Sequence, residues 1–256
     1  VKTPVNRFKL VLKEGRVRIG FWLALTDSYS AEICAGAGFD WLLIDGEHSP
    51  HTLVTIVGQL QAISGYPECD AVVRVPWADQ VTIKQYLDLG VQTVLVPMVE
   101  NAEQAAEVVR ACYYPPAGIR GVGGARAARW GRYRNYVTES NEQMCVLVQV
   151  ESKRGLDNLE QIAAVEGVNG VFIGTADLAA SLGYPGDAAN AVVQDATLDA
   201  FRKVLSIGKA PGAMARDEAL IRRYLDNGAL FVAVGLDAHL LAAQTTALAA
   251  RFRGAR

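Results

Sequence analysis

The sequence predicts an α/β protein folded as a (β/α)8 TIM barrel. Three observations carry this. Eight short apolar runs are separated by amphipathic stretches. Several of the runs are rich in Val, Ile and Leu without strict alternation, as in strands covered on both faces. The 256 residues suit one such barrel. An open doubly wound sheet is the alternative, but it usually carries a Gly-rich turn after its first strand. Leu25-Thr26-Asp27-Ser28 is not one.

The predicted strands are residues 19–25, 39–44, 71–75, 93–97, 144–150, 170–173, 211–214 and 230–234. Between them lie helical patterns. Residues 52–63 place Leu53, Ile56, Val57, Leu60 and Ile63 on one helix face. Residues 102–112 repeat the pattern behind an Asn101 N-cap, with Gln104 at the capping-box position. Residues 217–225 and 239–252 are further helices. Gly36-Ala37-Gly38, Leu89-Gly90, Glu166-Gly167 and Asn227-Gly228 mark helix ends before strands. No linker or repeat divides the chain, so residues 1–256 read as a single domain. Residues 113–141 break the rhythm. They hold Pro115, Pro116, five glycines (three of them at 121, 123 and 124) and five arginines (Arg120, Arg126, Arg129, Arg132, Arg134), and read as a long loop. A solvated or subunit-facing basic loop and an active-site lid are both open readings of it.

Composition removes several classes. Apolar residues make up 51% and the net charge is −2, so disorder is excluded and a nucleic-acid partner is not expected. No apolar run approaches the roughly 18–20 residues of a membrane helix. The first seven residues show no apolar signal-peptide core, so a cytoplasmic protein is expected. Cys34, Cys69, Cys112 and Cys145 are widely spaced with no C-x-x-C, which fits buried free thiols better than a zinc site or a redox pair.

In such a barrel the active site forms at the C-terminal ends of the strands. Asp45, Glu47 and His48 follow the second run. Arg74 ends the third, Gln149 and Glu151 end the fifth, and Asp177 follows the sixth. The first, seventh and eighth runs add only Arg216 and Asp237. Each residue has a plain structural reading: Asp177 as the cap of a helix over 178–182, Arg74 as the ion-pair partner of Glu151, His48 as a loop residue. Their joint placement at one mouth is harder to explain structurally, because buried charge is costly unless paired or bound to metal. Two carboxylates, Glu151 and Asp177, suit a hard divalent cation. An arginine beside them suits an α-keto carboxylate or its enolate, and a histidine near an aspartate suits acid/base work. None of the seven lysines lies inside a strand run, which disfavours a Schiff-base mechanism.

At these residues the sequence resembles the HpcH/HpaI family of metal-dependent pyruvate aldolases. The resemblance rests on the stretch from Gly38 to His48 (ending Asp45-Gly46-Glu47-His48) and on Val73-Arg74-Val75-Pro76. Ile83 to Gly90, Gly118-Ile119-Arg120-Gly121, Gln149-Val150-Glu151 and Ile173 to Leu178 extend it. It implies a barrel of the phosphoenolpyruvate/pyruvate-domain type. The implied assembly is a homo-hexamer, a dimer of trimers, or a trimer, with the last helix (about 237–252) exchanged between neighbours. It implies a divalent cation (Mg²⁺, Mn²⁺ or Co²⁺) on Glu151 and Asp177 and no organic cofactor. His48 is the implied base, supported by Asp45, and Arg74 the implied enolate stabiliser. Gln149 would orient substrate, backbone at Gly174, Thr175, Ala176 and Asp177 would receive the pyruvate carboxylate, and Trp22 and Met214 would line the pocket. Asp88 would reach a neighbouring subunit's site, although the sequence alone reads it as a solvated helix residue. The implied reaction is reversible cleavage of a 4-hydroxy-2-oxo acid to pyruvate, or a related 2-oxo acid, and an aldehyde. Thr175, where the family often carries Pro, and Met214, where it often carries Leu, bear on the aldehyde end. A sugar-acid aldolase, a citryl- or malyl-CoA-type lyase and a non-catalytic keto-acid-binding barrel are the competing readings.

Overall fold

The computed structural model describes residues 2–253. Eight strands, β1 (Arg18–Leu23), β2 (Trp41–Asp45), β3 (Asp70–Arg74), β4 (Thr93–Val96), β5 (Cys145–Val150), β6 (Val168–Ile173), β7 (Ala210–Met214) and β8 (Phe231–Leu236), close in chain order into one barrel. Every neighbouring pair is parallel, including β1 with β8. The predicted strands all appear, with ends shifted by a few residues. At β1 the shift has a clear cause. The N–H groups of Ala24 and Leu25 turn away from the sheet and donate to the buried carboxylate of Asp237, at 2.8 and 3.1 Å.

Helices α1 (Arg7–Lys13), α2 (Ser28–Ala35), α3 (Leu53–Ile63), α4 (Gln80–Asp88) and α5 (Ala102–Cys112) accompany the first half. The second half carries α6 (Tyr136–Gln143), α7 (Lys153–Asp157), α8 (Leu159–Ala164), α9 (Thr175–Ser181), α10 (Ala191–Ser206), α11 (Glu218–Asp226) and α12 (Asp237–Arg253). Asn101 caps α5 as its sequence position predicts. Gln104 departs from a capping box by accepting the N–H of Glu100 (2.8 Å), one residue before the cap. The reciprocal box is found instead at Thr52 and Thr55 of α3. Among the described residues no helix is long and apolar enough to cross a membrane.

Strand periodicity sorts the side chains into two cores. Leu42, Ile44, Val73, Val146, Val148, Val150, Val171 and Ile173 point outward against the helices. Trp41, Leu43, Val72, Leu95, Cys145, Leu147, Phe172 and Phe231 fill the barrel. Two glycines make room for the large rings. A Cβ on Gly20 would come within 2.1 Å of the Trp41 indole, and one on Gly212 within 2.4 Å of Phe231. Phe8 of α1 closes the bottom, with ring centroids 5.8 Å from Trp41 and 6.0 Å from Phe231. The barrel is thus a packed core, with polar inward positions at both rims: Arg18, paired with Asp70, and Thr93, which accepts a hydrogen bond from Asn6, at the bottom, and a second polar group at the top.

Residues 113–141 are more ordered than a loop. They contain a 3-10 helix at Arg126–Gly131 and the start of α6. The sequence hides α6 because only Tyr136 and Ser140 of that helix are buried. Arg120 is not solvated: it is fully buried, with its guanidinium 4.4 Å from the Tyr114 ring centroid and 3.0 Å from the Asp88 carboxylate. Arg126 donates to the carbonyl of Leu89. Only the later arginines, such as Arg132 and Arg134, are exposed. All four cysteines are free; Cys69, Cys112 and Cys145 are buried and Cys34 is half-buried.

Candidate active site

The alternation that buries Trp41 and Leu43 inside β2 also turns Asp45 inward at the strand's upper end. The same logic brings Arg74 inward after Val72, and Gln149 and Glu151 after Leu147. Four polar side chains, each buried, therefore converge on one mouth.

Arg74 and Asp45 form a two-pronged pair. Nε donates to Oδ1 at 2.9 Å and Nη2 to Oδ2 at 2.7 Å. The third guanidinium nitrogen, Nη1, lies 2.8 Å from Glu47 Oε2. The Trp22 indole donates to Asp45 Oδ2 at 3.1 Å, and its ring lies 4.9 Å from the Arg74 guanidinium carbon. Burial alone would raise the Asp45 carboxyl, but Arg74 and Trp22 outweigh it and hold Asp45 below the usual carboxylate range. Glu47 is pushed up by burial, which its contact with Arg74 only partly offsets. Arg74 does not pair with Glu151, as one reading of the sequence allowed; its charge is committed to Asp45 and Glu47.

Among the described residues Glu151 has no cationic partner. Its Oε1 accepts the N–H of Met98 at 2.9 Å and its Oε2 the side-chain amide of Gln149 at 2.5 Å. Met98 holds a φ of 56°, a left-handed conformation rare outside glycine, just beyond β4. Burial pushes the Glu151 carboxyl up to about 7. The two hydrogen bonds pull it back only in part, and the charges of Glu47 and Asp177 push the same way as burial. Gly174 is required here: a Cβ would stand 2.4 Å from Glu151 Oε2. Asp177 is not a helix cap, since α9 starts at Thr175 and puts Asp177 in its first turn.

A buried carboxylate facing other carboxylates, with no cation paired to it among the described residues, has the chemistry of a metal ligand. Among the described residues there is no group of three or more His, Cys, Asp or Glu side chains to enclose an ion. Two carboxylates completed by water and substrate oxygens fit magnesium or manganese, which keep such ligands. The residues present therefore fit the divalent cation.

His48 stands apart from the buried group. Its side chain is 67% exposed and its Nε2 lies 4.0 Å from Glu47. Asp45 supports the loop rather than the imidazole: its Oδ1 accepts the backbone N–H groups of Glu47 and His48, at 3.0 and 3.2 Å. His51, which the sequence reading assigned no role, is half-buried with Nδ1 3.1 Å from Thr55 Oγ1, and burial lowers its pKa.

Trp22, Asp45, His48, Arg74, Gln149, Glu151, Gly174, Thr175, Ala176, Asp177 and Met214 all line one cavity of about 600 Å³. Asp88 does not. It belongs to the outer wall with Arg120 and lies outside the cavity of its own chain. Sequence reasoning missed Met98 and Phe172. Met98 acts through backbone, which leaves no side-chain signal. It also missed the wall formed by Gly186, Asp187, Ala188 and Ala189, which lies in a loop without period.

Comparisons with known proteins bear on the fold and the family. Residues 18–243 match the family described as HpcH/HpaI aldolase/citrate lyase. A 4-hydroxy-2-oxovalerate aldolase of Rhodococcus jostii (strain RHA1) is 64% identical over 252 residues, 98% of either chain. A 4-hydroxy-2-oxo-heptane-1,7-dioate aldolase of Escherichia coli (strain SE11) is 58% identical over 249 residues, 96% of this chain and 95% of that one. Among solved structures, a HpcH/HpaI aldolase/citrate lyase family protein from Burkholderia cenocepacia J2315 superposes with a TM-score of 0.94 at 38% identity. It covers 97% of this chain and 100% of its own.

Proposed function

Since the chain belongs to the HpcH/HpaI aldolase/citrate lyase family, we infer that it is a carbon–carbon lyase, an aldolase that cleaves 4-hydroxy-2-oxo acids to pyruvate and an aldehyde. The observation that carries this reading is the buried Glu151 carboxylate without a cationic partner, which shares with Arg74 a cavity large enough for such a substrate.

Glu151 and Asp177 would hold a divalent cation, magnesium, manganese or cobalt, which supplies Lewis-acid stabilisation of charge developing on the 2-oxo oxygen. Arg74, fixed by Asp45, Glu47 and Trp22, presents a preorganised positive charge to the enolate formed as the C3–C4 bond breaks. Asp45 is the orienting group for Arg74 and for the His48 loop. His48, free to turn at the mouth, takes the C4 hydroxyl proton, and a proton returned to C3 of the enolate completes pyruvate and restores the balance. Gln149 steadies Glu151 and faces the substrate. Backbone at Gly174 to Asp177, where α9 begins, receives the 2-oxo acid's carboxylate. The cavity lining contains no lysine, which supports an enolate route over an imine route. The arginines of 113–141 give little support to a CoA-binding surface, since Arg120 and Arg126 are spent inside the protein.

Two further assignments belong to this reading. Helix α12 leaves Leu240, Leu241, Leu248 and Phe252 more than half exposed, which supports subunit contact through that helix in a trimer or hexamer. Four unpaired thiols suit a reducing, cytoplasmic setting.

The test is pyruvate release from 4-hydroxy-2-oxo acids before and after EDTA, with Mg²⁺, Mn²⁺ and Co²⁺ added back. Activity that vanishes with chelator and returns with metal is expected. Activity that persists in EDTA and is trapped by borohydride would overturn the metal-dependent route.

A further inference from the structure

One cation of the cavity has no task in the mechanism above. Three basic side chains line it: His48, Arg74 and Arg216. Arg74 is ion-paired with Asp45 and Glu47 and already has the enolate as its task. Arg216 makes no ion pair among the described residues, and the acids next to it are engaged elsewhere. Asp217 caps α11 by accepting the N–H of Leu220 at 2.9 Å, and Glu218 pairs with Arg222 at 2.6 Å.

Its place in the ring gives this meaning. Arg74 ends β3 and Arg216 lies two residues past β7. In a closed ring of eight strands, β3 and β7 are four apart and stand on opposite sides of the mouth. The groups that would handle the 2-oxo acid come from the ends of β3, β5 and β6. On the β7–β8 side the lining changes to the apolar Met214, Leu220 and Leu236, with Arg216 beside them. An apolar wall with a free guanidinium matches a short aliphatic chain that ends in an anion. The two relatives differ in this very group: a valerate has no second carboxylate, and a heptane-1,7-dioate does.

We propose that Arg216 is a specificity-determining residue that holds a carboxylate on the far end of the aldehyde half, so that this chain favours dicarboxylic 4-hydroxy-2-oxo acids. The inference rests on the aldolase reading. The test compares kcat/KM of the metal-loaded enzyme on 4-hydroxy-2-oxoheptanedioate and 4-hydroxy-2-oxoheptanoate, which share a chain length and differ in the terminal carboxylate. The wild type should prefer the dioate, and added salt should narrow the preference. In Arg216→Ala the dioate-to-monoacid ratio should fall about tenfold, the lower end of what a hydrogen bond to a charged group contributes, since the site is solvent-exposed. Arg216→Lys should retain part of the preference and Arg216→Glu should reverse it. Deuterium exchange on pyruvate alone separates a tail-reading role from a 2-oxo-acid role: a raised KM there in Arg216→Ala would overturn the proposal. So would a wild type indifferent to the carboxylate, or a ratio unmoved by the substitutions. A wild type that cleaves neither compound with any metal would overturn the aldolase reading itself, and is told apart by its silence.

Discussion

Replacing Glu151 by Gln tests the site at its most exposed assumption, that a buried carboxylate is kept ionised for a cation. With its pKa at about 7 against a usual 4.5, Glu151 binds a proton more tightly folded than unfolded. The sign follows from linkage. Between pH 4.5 and 7 the folded state carries the proton and the unfolded state does not, so stability falls as pH rises and stays low above 7. At 1.36 kcal/mol per pH unit the full cost is about 3 kcal/mol, and water relaxation around the site lowers the expected value to about 1–3 kcal/mol. Glu151→Gln removes that cost. The new amide also fits. Its oxygen can keep the Met98 N–H, and its NH₂ can donate to Gln149 Oε1, which has no partner now, once the Gln149 amide turns over. In EDTA the variant should therefore melt above the wild type at pH 8–9, with the difference closing toward pH 5. With metal added the order should reverse, because only the wild type gains binding energy. A melting difference that is negative and flat from pH 5 to 9 would refute the reasoning, as would metal stabilising both proteins equally.

Three other outcomes are expected. Arg74→Ala should lower kcat by about 10²–10³, the usual effect of losing one such preorganised electrostatic group, while the melting temperature identifies any share due to the orphaned Asp45; near-wild-type turnover would remove Arg74 from the mechanism. Gly174→Ala must push Glu151 aside, because the new Cβ would stand 2.4 Å from its Oε2. Metal affinity measured by calorimetry should fall about 10–100-fold, as when a ligand's support is lost, and unchanged affinity would mean that Glu151 does not hold the ion. Asp88→Asn leaves Arg120 buried without its counter-charge, at a cost of about 3 kcal/mol, or roughly 6–12 °C in melting temperature. A drop in turnover with no loss of stability would instead place Asp88 at a neighbouring subunit's site.

Much of this protein is written locally in its chain. The eight strands were legible because strands buried on both faces are unbroken apolar runs. The barrel followed from their number and spacing, and the mouth followed from asking which charges stand where those runs end. Asp45, Arg74, Gln149, Glu151 and Asp177 could be placed together on that ground alone. The motifs around them carried the family and, with it, roles that spacing cannot supply. The inner half of 113–141 was not legible. Two buried residues in α6 give no periodicity, and a buried arginine looks like a solvated one until its partner, 32 residues away in sequence, is seen beside it.

Tertiary structure decided what each charge is for. The sequence presents Arg74 as a free cation and Glu151 as its possible partner. Folding gives Arg74 to Asp45 and Glu47 and leaves Glu151 alone among acids, because neighbouring strand ends meet in register and β2 lies beside β3. It also separates Asp88 from the cavity and leaves Arg216 facing it unpaired. Apolar pattern is a property of consecutive residues and survives in one dimension. Charge pairing depends on distances between strands far apart in the chain, and those exist only once the barrel is closed.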